Sequence, residues 1–236
     1  MLEDIGRRVV QRALAAWERD IMDPPRHSLG DPSFDADRAY IDGFIRDDLR
    51  LGGVKDPATF RYRRDGDYEW CGAFAGHAWA PYLAPELLQL YFPSTYRLDC
   101  FGRYLPGFAT KNARSIAARW HRPVDSGYAR RYLRLTAKSV VEDVAAFEPR
   151  AGDILLVGTR PGLSYGSHVC LVERWDPKDK VFHTVEGNAT GRGPRGDRRQ
   201  GVVRQVRPLG TARPREQSHA LRLIRPGLFD LVEGVR

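Results

Sequence analysis

The sequence predicts an α+β fold, with helices in its first part and an antiparallel sheet in its last third. Three observations carry that expectation. Apolar residues recur at helical spacing through the first fifty or so positions. The middle segment, 82–147, is rich in aromatic and basic residues and is broken by Pro and Gly into short pieces that read mostly as helix. From Asp153 onward the period changes to short, β-branched or alternating runs with turn residues between them.

Residues 3–22 read as a helix with Ile5, Val9, Leu14, Trp17 and Ile21 near one face, stopped by Asp23-Pro24-Pro25. A loop rich in Pro, Gly and Asp follows. Asp35 caps a second predicted helix that runs through Leu51, with Ala39, Ile41, Phe44, Ile45 and Leu49 as its apolar set and Gly52-Gly53 as its end. A polar stretch, Arg61–Asp67, leads into a small-residue helix that opens near Cys71. The predicted strands are Asp153–Val157, His168–Trp175, Lys180–Val185, Gly201–Val206 and Ala220–Ile224, with Asp176-Pro177-Lys178-Asp179 as a hairpin turn. Gly191–Arg199 reads as a mobile basic loop. These boundaries divide the chain into an N-terminal helical region, 1–60, and a domain over 61–236 that carries a helical insertion at about 82–147.

The 236 residues suffice for one large domain or one domain with an appendage, and an apolar content of 42% supports a packed core. The net charge of +8 favours an anionic partner: nucleic acid, an acidic membrane surface or an acidic wall polymer. Arginines and aromatics interleave over 91–135, but no recognised nucleic-acid motif accompanies them, so a nucleic-acid partner is not expected. No apolar run approaches the roughly 18 residues a membrane helix needs. The first residues, Met1–Arg8, lack an apolar signal core, which predicts synthesis in the cytoplasm and, for any action outside, another export route. Cys71, Cys100 and Cys170 form no CxxC pair, which argues against a zinc site or a disulfide scaffold. Asp65-Gly66-Asp67 offers too few carboxylates for calcium, and Gly191–Arg199 lacks the pattern of a phosphate loop. Neither a metal nor a cofactor is expected.

The densest chemical signal is Tyr68–Trp79, YEWCGAFAGHAW. A cysteine at a helix N-terminus ionises more readily, and a neighbouring imidazolium adds to the effect. Gly72 and Ala73 leave room for a substrate beside the backbone, while Phe74, Ala78 and Trp79 anchor the helix. Alone, Cys71 reads more readily as a buried structural cysteine than as a nucleophile. His168 changes the balance. It opens an apolar strand on which alternation places His168, Cys170 and Val172 on one face. Glu186 and Asn188 share a face at the end of the next strand. If the two strands pair as a hairpin, Glu186 or Asn188 comes beside His168 and fixes its tautomer. His77 follows Cys71 by six positions, on another side of the helix, and reads as a neighbour; His183 reads as structural.

In order, these parts resemble the CHAP and NlpC/P60 group of papain-like peptidoglycan hydrolases, more closely the CHAP side. The matching elements are Trp70-Cys71-Gly72-Ala73-Phe74, Pro149–Leu156 (PRAGDILL), Ser167-His168-Val169, Val185-Glu186-Gly187-Asn188 and Gly201-Val202-Val203, spanning roughly residues 66–207. The resemblance implies a papain-like fold, with a nucleophile helix packed on an antiparallel sheet. It implies Cys71 as nucleophile, His168 as base, and Glu186 or Asn188 as the residue that orients the base. It implies cleavage of a peptidoglycan amide through a thioester, by an amidase or endopeptidase acting at the cell wall or periplasm as a phage lysin or a secreted antibacterial effector. Such an effector would meet a secretion-system component or an immunity protein. The sequence departs from the group in the long interval between Cys71 and His168, in Cys170 where a Gly or Ala is usual, and in the helical region before residue 60. Two other readings stay open: a cysteine hydrolase for a different amide, such as a protein or polyamine conjugate, and a non-catalytic basic binding module.

Overall fold

The computed structural model describes residues 2–22, 32–44, 71–83, 132–134, 148–158, 168–209 and 219–225. Cys100, the Asp65–Asp67 pair, the second half of the second predicted helix and most of 82–147 lie outside the described residues. The architecture is α+β. Helices α1 (Leu2–Glu18), α2 (Asp35–Gly43) and α3 (Cys71–Trp79) precede a sheet of β1 (Tyr132–Arg134), β2 (Ile154–Gly158), β3 (His168–Asp176), β4 (Val181–Arg192), β5 (Arg198–Pro208) and β6 (His219–Ile224). The strand order is β1-β6-β2-β3-β4-β5, with antiparallel neighbours throughout.

α1 begins with Glu3 and Asp4, whose charges suit the N-terminal end of the helix dipole; Arg7 bridges both, to Glu3 at 3.0 Å and Asp4 at 2.7 Å. Its buried face is Ile5, Val9, Val10, Ala13 and Ala16, narrower and smaller than the Leu14 and Trp17 face that spacing suggested. The helix also stops earlier than Asp23. Asp20 turns left-handed (φ 65°), and beyond it the chain runs along β5: Val202 donates its N–H to the Ile21 carbonyl, and Met22 bridges Gly201. Ile21 is thus buried by sheet contact rather than by a helix face. Arg195 and Arg199 both reach the Asp20 carboxylate and tie the turn to the β4–β5 hairpin.

Gly6 marks where α1 docks. A Cβ there would stand 2.0 Å from the Ala151 carbonyl oxygen, and one on Gly152, which already needs φ +85°, would stand 2.7 Å from the Gly6 Cα. Two glycines therefore let the helix backbone touch the turn that starts β2. The next residue, Asp153, is buried and accepts hydrogen bonds from the Arg150 N–H and from both Nε and Nη2 of Arg225 at 2.8 and 2.7 Å. That fork locks the end of β6 to the start of β2.

The β3–β4 hairpin turns where Asp-Pro-Lys-Asp predicted, with the Asp176 Oδ1 accepting N–H bonds from Lys178 and Asp179. Two segments differ from the sequence expectation. The basic stretch Gly191–Arg199 is no free loop: β4 continues to Arg192 and β5 resumes at Arg198, leaving a short turn closed by Gly193 N–H to Asp197 O at 2.9 Å. Within the segment read as helical, Tyr132–Arg134 is a strand that pairs with β6 and extends the sheet. One face of the sheet packs Leu155, Val157, Cys170, Val172, Phe182 and Leu223 into a core cluster against which Trp175 and Leu209 rest.

Candidate functional site

α3 is buried on every side that is described. Cys71, Phe74, Ala75, His77, Ala78 and Trp79 are each 5% exposed or less. It lies between α1 and strands β3 and β4. Two polar contacts hold its C-terminal half: Trp79 Nε1 donates to the Gly152 carbonyl at 3.0 Å, and Arg12 of α1 donates from Nε to the His77 carbonyl at 3.1 Å. Arg12 Nη2 also meets His77 Nδ1 at 3.2 Å, and the Phe44 ring lies 4.4 Å from the imidazole. His77 is therefore part of the packing between helices. At the other end Cys71 is the first residue of the helix, where backbone N–H groups point outward without intrahelical partners.

His168 is the first residue of β3, 7% exposed, and its Nε2 lies 2.8 Å from Oε2 of Glu186. The Cys71 side chain lies close enough to the ring to raise its pKa. With Nε2 taken by the carboxylate, Nδ1 is the nitrogen left for sulfur. Burial alone would push the imidazolium to lower pKa. The nearby Cys71 and the bond to Glu186, with their charges, outweigh that effect and raise it to about 9. At neutral pH the ring is an imidazolium.

Glu186 is fully buried in β4. Burial would raise its pKa, but the charge of Arg207 and the bond to His168 hold it well below the usual carboxylate range. Arg207 of β5 donates Nε to Oε1 at 2.7 Å and Nη2 to Oε2, and Thr184 Oγ1 also donates to Oε1. The β4–β5 register explains the convergence: Glu186 faces Val203 and Phe182 faces Arg207, so these alternate positions share one side of the sheet.

Three of the four residues singled out from the sequence thus come together: Cys71, His168 and Glu186. Asn188 sits two positions on, in the left-handed region (φ 54°), where a register shift between Glu186 and Ala189 interrupts the alternation that had put Glu186 and Asn188 on one face. Asn tolerates that conformation better than most residues. Cys170 lies close enough to Glu186 to feel its charge. Burial first, and that carboxylate second, push its thiol well up, and its Sγ contacts the Leu155 carbonyl at 3.6 Å. Cys170 is a core residue beside the site. Among the described residues no group of three or more His, Cys, Asp or Glu is placed to hold a metal ion, and no helix is long and apolar enough to cross a membrane.

Sequence reading missed Arg207 and Thr184. Arg207 falls one position beyond the predicted strand, yet it keeps the parity of Val203, which is buried opposite Glu186. An arginine at that parity, near a buried glutamate, was the available signal. No protein-family model, curated protein or solved structure matches the chain.

Proposed function

We propose that this protein is a papain-like cysteine hydrolase that cleaves an amide through a thioester, with Cys71 as nucleophile, His168 as acid and base, and Glu186 as the residue that orients His168. The observation that carries the reading is a cysteine at the first position of a buried helix, beside a histidine whose Nε2 is held by a buried carboxylate. A structural cysteine needs no such partner, and a strongly shifted pKa in a buried cluster marks a candidate functional site.

In the proposed reaction the Cys71 sulfur, its proton on His168, attacks the amide carbonyl. The Cys71 backbone N–H at the start of α3 faces the oxyanion that develops. His168 then protonates the leaving amine, and the thioester remains on sulfur. His168 next takes a proton from water, which attacks the thioester and frees the acid and the thiol. Glu186 keeps the ring oriented and the imidazolium stable through both halves. Asn188, at the bulge beyond Glu186, assists in positioning. Cys71 is 1% exposed, so turnover requires whatever covers the sulfur to yield to the substrate.

The substrate we propose is peptidoglycan, cut at the amide joining glycan to stem peptide or within the peptides. Its support is the CHAP-like motif set and the net charge of +8, which suits an acidic wall polymer. The setting we propose is the cell wall or periplasm, reached by export or lysis.

Mass spectrometry of soluble fragments released from purified sacculi tests the reading. The wild type is expected to release fragments with a new amine terminus at one amide. Cys71→Ala is expected to release none while keeping the wild-type circular dichroism spectrum, since it removes one sulfur atom. Equal release by Cys71→Ala would end the assignment.

A further inference from the structure

We infer that Arg207 is a positioning residue of this site: its guanidinium fixes the Glu186 carboxylate for His168 and supplies the second positive charge that lets a carboxylate and a thiolate share one buried cluster. The inference rests on the hydrolase reading above.

A carboxylate offers about four lone-pair directions to donors. On Glu186, Oε1 receives Thr184 Oγ1 and Arg207 Nε, and Oε2 receives His168 Nε2 and Arg207 Nη2. Every direction is taken, so the carboxylate cannot turn away from His168 without breaking a fork. Arginine is suited to this because its planar guanidinium matches both oxygens at once; a lysine ammonium is a point charge and holds only one geometry loosely. The side chain of Arg207 is only 11% exposed, so its charge is committed to this contact rather than to solvent.

Among the described residues, the groups around Glu186 are His168 and Cys170 from β3, Thr184 from β4, Arg207 from β5 and, through His168, Cys71 from α3. Cys170 stays protonated because burial pushes its thiol up. In the thiolate–imidazolium form the cluster holds two anions, the Cys71 thiolate and Glu186. It then holds two cations, His168 and Arg207. Without Arg207 the same form sets two anions against one imidazolium in a buried site. A buried charge without a partner is strongly disfavoured, and the sulfur would keep its proton to higher pH.

The test is the pH dependence of Cys71 alkylation by iodoacetamide, located by peptide mass spectrometry, in the whole protein. It needs no substrate. In Arg207→Met the pH of half-maximal alkylation is expected to rise by about one unit, the shift one neighbouring charge commonly produces. Arg207→Lys is expected to return it part of the way, because the charge is back and the fork is not. In Glu186→Gln/Arg207→Met, compared with Glu186→Gln alone, the rise is expected to be largely absent. That double variant strands no buried charge, so it remains readable if Arg207→Met fails to fold. A wild-type profile in Arg207→Met, or a full rise on the Glu186→Gln background, would overturn the inference, since a merely structural arginine would give one or the other. If wild-type Cys71 is alkylated no faster than Cys170, the hydrolase reading itself fails, and that outcome is distinct.

Discussion

Replacing Glu186 by Gln keeps the shape of the side chain and removes its charge, and three measurable effects follow from the geometry. The first concerns His168. Its pKa stands at about 9 against an ordinary 6.5, a difference on the order of 3 kcal/mol at about 1.4 kcal/mol per unit. That difference is what remains after burial has worked against it, and Cys71 and Glu186 supply it jointly. Losing the carboxylate forfeits its share, so the imidazolium should give up its proton at least about one unit lower. The second effect is on rate: a share of that size corresponds to a roughly ten- to hundredfold loss of turnover. The third effect is on stability. Gln cannot neutralise Arg207, which is left as a buried cation, a defect that commonly costs about 3–5 kcal/mol. The sign of the pH dependence follows from the raised His168 value. Its contribution is complete below its unfolded value near 6.5 and is lost as pH rises through about 9. The stability gap between wild type and Glu186→Gln should therefore be widest below pH 6.5 and narrow toward pH 9 without closing, because the Arg207 term persists. Glu186's own depressed value acts only in strong acid, where its stabilisation is lost as pH falls below the usual carboxylate range. The assays are a pH–rate profile on sacculi and urea denaturation at several pH values. An unchanged alkaline limb together with an unchanged urea midpoint would refute the reasoning, since it would mean Glu186 neither stabilises the imidazolium nor balances Arg207.

Two further outcomes test the framework. Gly6→Ala places a Cβ 2.0 Å from the Ala151 carbonyl oxygen and should destabilise the protein by about 1–3 kcal/mol, read as a lower thermal midpoint. Arg225→Met strips both guanidinium bonds from buried Asp153 and should cost about 3–5 kcal/mol near neutral pH, a loss that shrinks in acid because burial already raises the Asp153 pKa and protonation relieves the stranded charge.

What the sequence made legible follows from which signals are local. The alternation of HVCLVERW and the DPKD turn are nearest-neighbour patterns, and the β3–β4 hairpin forms where they put it. Cys71 and His168 were legible because each opens its element, one a helix and the other a strand. The end of α1 was less so. Its stop at Glu18 is set by the pairing of Ile21 and Met22 with β5, a contact made across most of the chain. Gly191–Arg199 read as a loop because Gly and Arg are weak strand formers. Tertiary pairing overrides that preference, and Arg199 finds carboxylates at Asp20 and Asp197. Arg207 is the instructive miss. Its role depends on the β4–β5 register, and a strand's charge pattern does not reveal which neighbour's buried residue it will face. The bulge at Asn188 was hidden for a similar reason: period-two alternation assumes that no extra residue intervenes, and here one does.

The distance between Cys71 and His168 is set far from either residue. α3 is short and has no polar face, so it cannot lie at a surface; α1 on one side and the sheet on the other must cover it. Its C-terminal half is pinned by Trp79 to the Gly152 carbonyl and by Arg12 to the His77 carbonyl. Gly152 is also the residue against which Gly6 of α1 rests, and its N–H joins the β3 ladder through the Val172 carbonyl. One turn therefore connects α3, the helix that covers it and the strand that carries His168. A shift of that turn moves all three together, which preserves the relative placement of sulfur and imidazole. A change in α1 alone does not, because it tilts α3 against a fixed β3. If Cys71 and His168 act as proposed, disturbing the first helix should cost more activity than the loss of folded protein explains, although none of its described side chains is at the site.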